Sequence, residues 1–340
     1  MHTINPLSAP FSTSERTQQS PTIQVPRIRY STSSGKQQSQ STAQFKPQFD
    51  QVICEEPLQI TLAWVTNDQD KGQEEHAQVF TITMRTPGDD IALITGLLFT
   101  EGQIDDISQI DHISSETDSD NDEPQNNQFT AYFSQGNQPD LAGLQRQLIT
   151  QSSCGICGKT SLKSLELKAP KPLNNQPAWL DPEQIKTLPQ RLLEQQSLFA
   201  QTGGVHGAAL FDQNYQLLSV KEDVGRHNAV DKVIGEQLLG QQLLSQQELS
   251  QQLLGQQELS QQLLSQQELA ATRHILLLSG RVSFELVQKA IIAGYPVIIA
   301  VGAPSSLAIL AAQRFDLTLI GFTKPDSFNI YHGHWRIKGA

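Results

Sequence analysis

The chain has 340 residues, of which 17% are charged, and a formal net charge of −11 at pH 7. This charge argues against a nucleic-acid partner, because phosphate binding requires a concentrated basic face. No stretch approaches the roughly 18 apolar residues of a membrane-spanning helix, and the N-terminus lacks the apolar core of a secretory signal, so we expect a soluble, cytoplasmic protein that binds no membrane.

The first half of the chain predicts a polar tail followed by a small α/β subdomain. Residues 1–47 are rich in Ser, Thr, Gln and Pro, which predicts disorder. Residues 48–151 carry alternating and helical apolar patterns, and the acidic stretch 105–128 predicts a solvated loop. The expected elements are strands at 58–65, 77–84 and 129–133 and a helix at 91–99.

Residues 152–340 predict a second domain built on a parallel sheet. A helix is expected at 160–167 and another at 182–200, followed by a strand pair at 205–211 and 217–220 and a helix from about residue 229. The last seventy residues alternate strand and helix, which predicts parallel strands with right-handed crossovers. Those strands are 275–278, 297–301 and 317–320, with helices at 284–293 and 307–314.

Residues 241–270 are three copies of a ten-residue unit: QQLLSQQELS, QQLLGQQELS and QQLLSQQELA. Gln, Leu and Glu favour helix, but a five-residue spacing advances about 140° per step, so the leucines form no single stripe. We interpret 237–270 as a surface insertion that extends the preceding helix. A coiled-coil arm is the alternative.

The most informative motif is the Cys-x-x-Cys pair Cys154 and Cys157, in the sequence SSCGICGK. The only other cysteine is Cys54, so there are too few for a disulfide framework, and a redox, metal-binding or catalytic pair is expected. A helix start just beyond the pair, together with Lys159, would favour the thiolate. Such a pair could exchange disulfides, carry sulfur as a persulfide, or bind zinc.

A zinc site is poorly supported by the spacing. Structural zinc needs four ligands, and His206, His227 or Cys54 would have to complete the set. Deaminase zinc sites have His-x-Glu before Pro-Cys-x-x-Cys, whereas here the cysteines precede His206 and no Glu follows it two residues later. We therefore expect no metal, and a zinc or redox module stays open as an alternative.

Two groups of residues predict an anion-binding site. Ser279-Gly280-Arg281 follows one strand of the sheet and residues 302–306 follow the next, where ligands bind open parallel sheets. Arg226 and His227 open a helix behind the expected N-cap Asp223, and basic residues there oppose the helix dipole unless an anion is present. The alternatives are helix capping by the serines and a structural ion pair of Arg226. The chain lacks the Gly-rich loops of P-loop NTPases and dinucleotide dehydrogenases.

These stretches together resemble the formate dehydrogenase accessory sulfurtransferases of the FdhD type. The resemblance extends over roughly residues 50–340, apart from the repeat and the acidic loop, and residues 300–322 fit it as well. It is carried by SCGICG at 153–158, TGGVH at 202–206, EDVGRHNAVDK at 222–232, and SGR at 279–281 onward to Lys289 and Ala290.

The resemblance implies a sulfur carrier. A cysteine desulfurase would pass sulfur to the cysteine loop as a persulfide, and the protein would sulfurate bound Mo-bis(molybdopterin guanine dinucleotide) before this cofactor enters formate dehydrogenase. A homodimer is implied, as is a C-terminal half with a cytidine-deaminase-like fold but without zinc chemistry. A chaperone that only binds and protects the cofactor is the alternative.

The resemblance also assigns site residues. Cys154 is the favoured persulfide carrier and Cys157 its partner. Arg226, His227 and Ser279 are added by the anion argument. The stretch that matches the family's cofactor-binding segment is Phe284, Glu285, Leu286, Val287, Gln288 and Lys289.

Overall fold

The computed structural model describes residues 20–33, 42–68, 72–117, 124–140, 165, 172–252 and 273–340. These residues form a mixed α/β fold with three sheets. The predicted helix at 160–167 lies outside the described residues except for Leu165, which is helical and buried. Residues 253–270 of the repeat also lie outside them.

The first sheet is an antiparallel ribbon of β1 (Thr22–Ser33) and β2 (Thr42–Ile53). The predicted disorder of residues 1–47 is therefore wrong for 22–33 and 42–47. Alternation of Ile23 and Val25 with polar residues is a strand pattern, and the pairing gives the backbone of this polar segment its hydrogen bonds.

The second sheet has four strands in the order β4-β3-β6-β5. Leu93, Ile94 and Leu98 of α1 (Asp90–Thr100) pack on one of its faces. The predicted loop at 105–128 is wrong over β5 and the start of β6, because cross-strand pairing satisfies the backbone of this polar segment. The strands are β3 (Glu56–Asp68), β4 (Gly72–Arg85), β5 (Ile110–Thr117) and β6 (Pro124–Phe133), with a 3-10 turn Ile107–Gln109 before β5.

The third sheet has six strands in the order β12-β11-β10-β9-β7-β8. Its strands are β7 (His206–Phe211), β8 (Leu217–Asp223), β9 (Ile275–Leu278), β10 (Val297–Ala300), β11 (Thr318–Gly321) and β12 (Asn329–His332). The predicted parallel order is confirmed for β9, β10 and β11. The sheet is nevertheless mixed, because β12 and β7 run antiparallel to their neighbours and β8 pairs antiparallel with β7.

Helices cover both faces of this sheet. One face packs α4 (Arg226–Gln252), α5 (Phe284–Ile292) and α6 (Ser306–Arg314), and the other packs α2 (Pro182–Gln195). The helix predicted at 182–200 is two helices, because the chain breaks at the buried Gln196 before α3 (Ser197–Thr202). The repeat continues α4 as predicted, as far as Gln252. No described helix is both long enough and apolar enough to cross a membrane.

Candidate functional site

Ser279 joins two strands at the sheet edge where β9 and β10 end, which we call the carboxyl edge. Its hydroxyl oxygen accepts a hydrogen bond from the Gly207 backbone N–H at 2.8 Å, and its own N–H donates to the Gly207 carbonyl at 3.0 Å. Ser279 therefore does not cap α5, whose N-cap position is Ser283. Ser305, by contrast, caps α6 through the Ala308 N–H.

His206 begins β7 at this edge and lies against Gly280. A Cβ atom on Gly280 would stand 3.3 Å from His206 Nδ1, so the glycine allows the ring to approach the backbone. Burial lowers the pKa of His206, and the Arg226 and Arg281 guanidiniums lower it further. The imidazole is therefore neutral at pH 7 and can both donate and accept a hydrogen bond.

Arg226 and His227 stand in the first turn of α4, as predicted. His227 Nε2 lies 3.0 Å from Ser283 Oγ and 3.4 Å from Glu285 Oε2. Burial lowers the pKa of His227 despite the nearby Glu285 carboxylate. Within the described part of the chain Arg226 forms no ion pair, and its buried Nε has no hydrogen-bond partner. The alternative interpretation, a structural ion pair of Arg226, is therefore not supported within that part of the chain.

Asp223 anchors the loop that presents Arg226. Its carboxylate is fully buried and accepts hydrogen bonds from the Gly225 N–H at 2.8 Å and the Asn228 side-chain amide at 3.0 Å. Lys232 Nζ lies 2.8 Å from the other carboxylate oxygen, which also accepts from the Thr86 N–H at 3.1 Å. Asp223 thus joins α4 to the N-terminal subdomain rather than facing a ligand.

The predicted cofactor-binding stretch 284–289 divides between the core and the surface. The Leu286 and Val287 side chains are buried in the hydrophobic core, and Lys289 is 2% exposed. Phe284 and Gln288 are half-buried, whereas Glu285 is exposed at the start of α5 beside His227. The cofactor-binding role of these six residues stays a prediction.

A cavity of about 710 Å³ opens at the carboxyl edge between α2, α3 and the end of β10. His206, Ser279 and Gly280 line it on the strand side. The Nε2 of Gln196, which is only 4% exposed, has no partner among the described residues. The sequence does not predict this wall of the cavity, because a buried Gln at a helix break has no distinctive local pattern. The apolar lining side chains are Pro189, Leu192, Leu193, Phe199, Val205, Val301 and Pro325.

Cys154 and Cys157 lie outside the described residues, so their position relative to the carboxyl edge stays a prediction. Among the described residues, no group of three or more His, Cys, Asp or Glu side chains is arranged to hold a metal ion. Of the residues predicted for the site, the structure therefore brings together Arg226, His227, Ser279, Arg281 and Glu285, and it adds His206.

The sequence profile described as the FdhD/NarQ family matches residues 53–251 and 262–338. Proteins named sulfur carrier protein FdhD from Streptomyces avermitilis and Corynebacterium efficiens are each 38% identical, over 85% and 84% of this chain and 89% and 90% of their own. The protein of the same name from Saccharolobus solfataricus is 37% identical, over 85% of this chain and 91% of its own.

A solved structure is similar in fold. It is the crystal structure of a protein assigned as a formate dehydrogenase accessory protein from Desulfotalea psychrophila, with a TM-score of 0.57 and 23% identity over 92% of this chain and 99% of its own. This likeness supports the mixed α/β fold. The cytidine-deaminase-like arrangement of the C-terminal half stays a prediction.

Proposed function

The chain belongs to the FdhD/NarQ family, and from this premise we propose that it is a sulfur carrier that serves formate dehydrogenase. The observation that carries the proposal is the 38% identity, over most of both chains, to proteins named sulfur carrier protein FdhD. This chain also contains the pair Cys154 and Cys157, which can carry sulfur.

We further propose the route of the sulfur. The Cys154 thiolate attacks the terminal sulfur of the persulfide on a cysteine desulfurase, and the desulfurase thiolate leaves, so that Cys154 holds the sulfur as a persulfide. Cys157 then attacks Cys154 Sγ and releases the terminal sulfur as sulfide, which would replace an oxygen ligand of the molybdenum in the bound cofactor, and that oxygen would leave as water. The two cysteines are oxidised to a disulfide, and a cellular thiol reduces it for the next cycle.

The carboxyl edge suits the anionic cargo, Mo-bis(molybdopterin guanine dinucleotide). Arg226 and Arg281 have no ion-pair partner in the described part of the chain, and guanidiniums bind phosphate oxygens in pairs of hydrogen bonds. The apolar walls of the adjoining cavity suit flat ring systems. A local basic site thus allows an acidic protein to bind an anion.

The experiment that tests the carrier role is intact-mass measurement after incubation with a cysteine desulfurase and cysteine. We expect the wild-type protein to gain sulfur that a reductant removes, and Cys154→Ala to gain none. Cys54→Ala is the matched control, because Cys54 is buried beside Glu56 and should leave loading unchanged.

The outcomes separate the carrier from its alternatives. Loading that survives in Cys154→Ala but disappears in Cys157→Ala would move the persulfide to the second cysteine. No loading of the wild type by an active desulfurase would favour a chaperone that binds the cofactor without sulfur transfer, or a zinc or redox module. The homodimer implied by the resemblance stays a prediction that sedimentation velocity can test.

A further inference from the structure

His206 links the cavity at the carboxyl edge to the basic residues beside it. Its ring lines the cavity, and the guanidiniums of Arg226 and Arg281 are close enough to lower its pKa. Both ring nitrogens are accessible, and neither has a hydrogen-bond partner among the described residues. The imidazole therefore offers two polar atoms that can contact a ligand at this edge.

The charged groups around His206 leave a positive balance. On β8, Asp223 lies opposite His206, but its carboxylate is neutralised by the buried ion pair with Lys232. Arg226 and Arg281 form no ion pair in the part of the chain that the structure describes. The other ionisable groups on the elements around the ring are Lys186, which pairs with Glu183, Glu222, which accepts from the Leu198 and Phe199 N–H groups, and His227, which lies beside Glu285.

This balance keeps His206 neutral only while no anion is bound. In the free protein, burial and the two guanidiniums hold its pKa below the usual 6.5. A phosphate group bound nearby acts in the opposite direction, because an opposite charge within about 4–6 Å raises a histidine pKa by about 1–3. The pyrophosphate of a dinucleotide is fully ionised near neutral pH, so a proton gained on binding must go to the protein.

We propose that His206 is a further basic ligand of the anionic cargo, beside Arg226 and Arg281, and that it takes up a proton when a phosphate group of the cargo binds. Protonated histidine donates hydrogen bonds from both ring nitrogens, which suits phosphate oxygens. This inference rests on the proposed binding of an anionic cargo at the carboxyl edge. It makes the hold on the cargo depend on pH, whereas guanidiniums alone would not.

The sign of this dependence follows from the two states of the protein. Below the lowered pKa of the free protein, His206 is already charged and the affinity for the anion is highest. Above the raised pKa of the complex, His206 is neutral in both states and the affinity is lowest. Between these limits the affinity falls as the pH rises.

The test is calorimetric titration of the full-length protein with sodium sulfate, a dianion that does not titrate near neutral pH, at constant ionic strength from about pH 6 to about pH 8. We expect the affinity to fall by about five- to ten-fold across this range. His206→Asn should bind more weakly and change by less than about two-fold. The matched control is His112→Asn, which replaces an exposed histidine on β5 of another sheet and should behave as the wild type does.

The same titration of the wild type in buffers of different ionisation enthalpy counts the protons bound per sulfate, and this keeps the test valid if His206→Asn does not fold. Absence of proton uptake, absence of saturable sulfate binding, or an unchanged pH dependence in His206→Asn would each overturn the proposal. Loss of the pH dependence in His227→Asn alone would overturn the assignment to His206. Sulfur loading of the cysteine pair is a separate measurement, so its failure is distinguishable from failure here.

Discussion

The buried pair of Asp231 and Lys289 shows how single residues join three helices. Lys289 Nζ on α5 lies 2.9 Å from Asp231 Oδ1 on α4 and donates to Thr100 Oγ1 on α1 at 3.0 Å. Burial raises the pKa of Asp231 to about 6, although Lys289 and Thr100 act in the opposite direction. For Lys289, burial lowers the pKa, but the carboxylates of Asp231, Glu101 and Glu285 together more than offset this, and the net shift is upward.

This shift predicts a pH dependence of stability that Asp231→Asn should remove. The folded-state pKa lies above the unfolded value of about 3.9, so the native carboxyl keeps a proton that the unfolded chain has released. The contribution of Asp231 to the free energy of unfolding is therefore fully present below about pH 4 and falls as the pH rises through about 6. Urea denaturation at several pH values across this range measures the free energy of unfolding. If this free energy changed with pH equally in the wild type and in Asp231→Asn, the prediction would be contradicted.

At the scale of elements, α1 and α4 approach each other more closely than side chains would allow. A Cβ atom on Gly96 would stand 1.9 Å from the Asp231 carbonyl oxygen, and one on Gly235 would stand 1.8 Å from the Ala92 carbonyl oxygen. This contact joins the N-terminal subdomain to the helix that presents Arg226 and His227. The two glycines therefore help to position Arg226 and His227 at the carboxyl edge, although the glycines do not lie at that edge themselves.

We predict that Gly96→Ala lowers the free energy of unfolding by about 3 kcal/mol, because the added methyl group would force the helices apart. Gly240→Ala is the control in α4, where a Cβ atom would meet nothing within 4 Å. That control should be stabilising by about 0.5–1 kcal/mol, because alanine favours helix over glycine. Chemical denaturation of both variants measures the difference, and equal effects would refute the close helix contact.

At the scale of the whole molecule, the described start of the repeat lies outside the core. Among the residues of α4 whose burial the structure describes, 226–243, the buried side chains all precede residue 241, and Leu243 within the repeat is exposed; the buried ones are Asn228, Ala229, Val230, Asp231, Lys232, Val233 and Ile234. The match to the FdhD/NarQ profile omits residues 252–261, a length of ten residues that equals one repeat unit. Both observations support the interpretation of the repeat as a surface insertion.

We therefore expect excision of residues 241–270 to leave sulfur loading intact, and deletion of 252–261 alone to keep the melting temperature within about 2 °C of the wild type. Deletion of 231–240, a segment of equal length within α4, should abolish folding because it removes the buried Asp231–Lys289 pair and core apolar side chains. Loss of soluble protein after deletion of 252–261 would show that the repeat packs or pairs.

Local sequence pattern was sufficient to predict many of the strands and helices in the C-terminal half. The apolar runs at 275–278 and 297–301 and the helix between them appear where the sequence predicted them, because strand and helix periodicity are properties of a short stretch. Polar strands were missed, whereas the strand predicted at 129–133 is confirmed as the second half of β6. The ribbon of β1 and β2, together with β5 and the start of β6, gains its backbone hydrogen bonds from partner strands, and composition does not reveal such pairing.

The sequence alone determined the chemistry available to this protein, namely the pair Cys154 and Cys157, the basic residues at the start of α4, and the motifs shared with its family. Tertiary structure decided which side chains are buried in ion pairs and which stay accessible. In the folded protein Lys289 is buried and pairs with Asp231, and His206 packs against Gly280. Arg226 forms no ion pair among the described residues. The physical reason is that burial and charge pairing depend on residues far apart in the chain, and only folding brings these together.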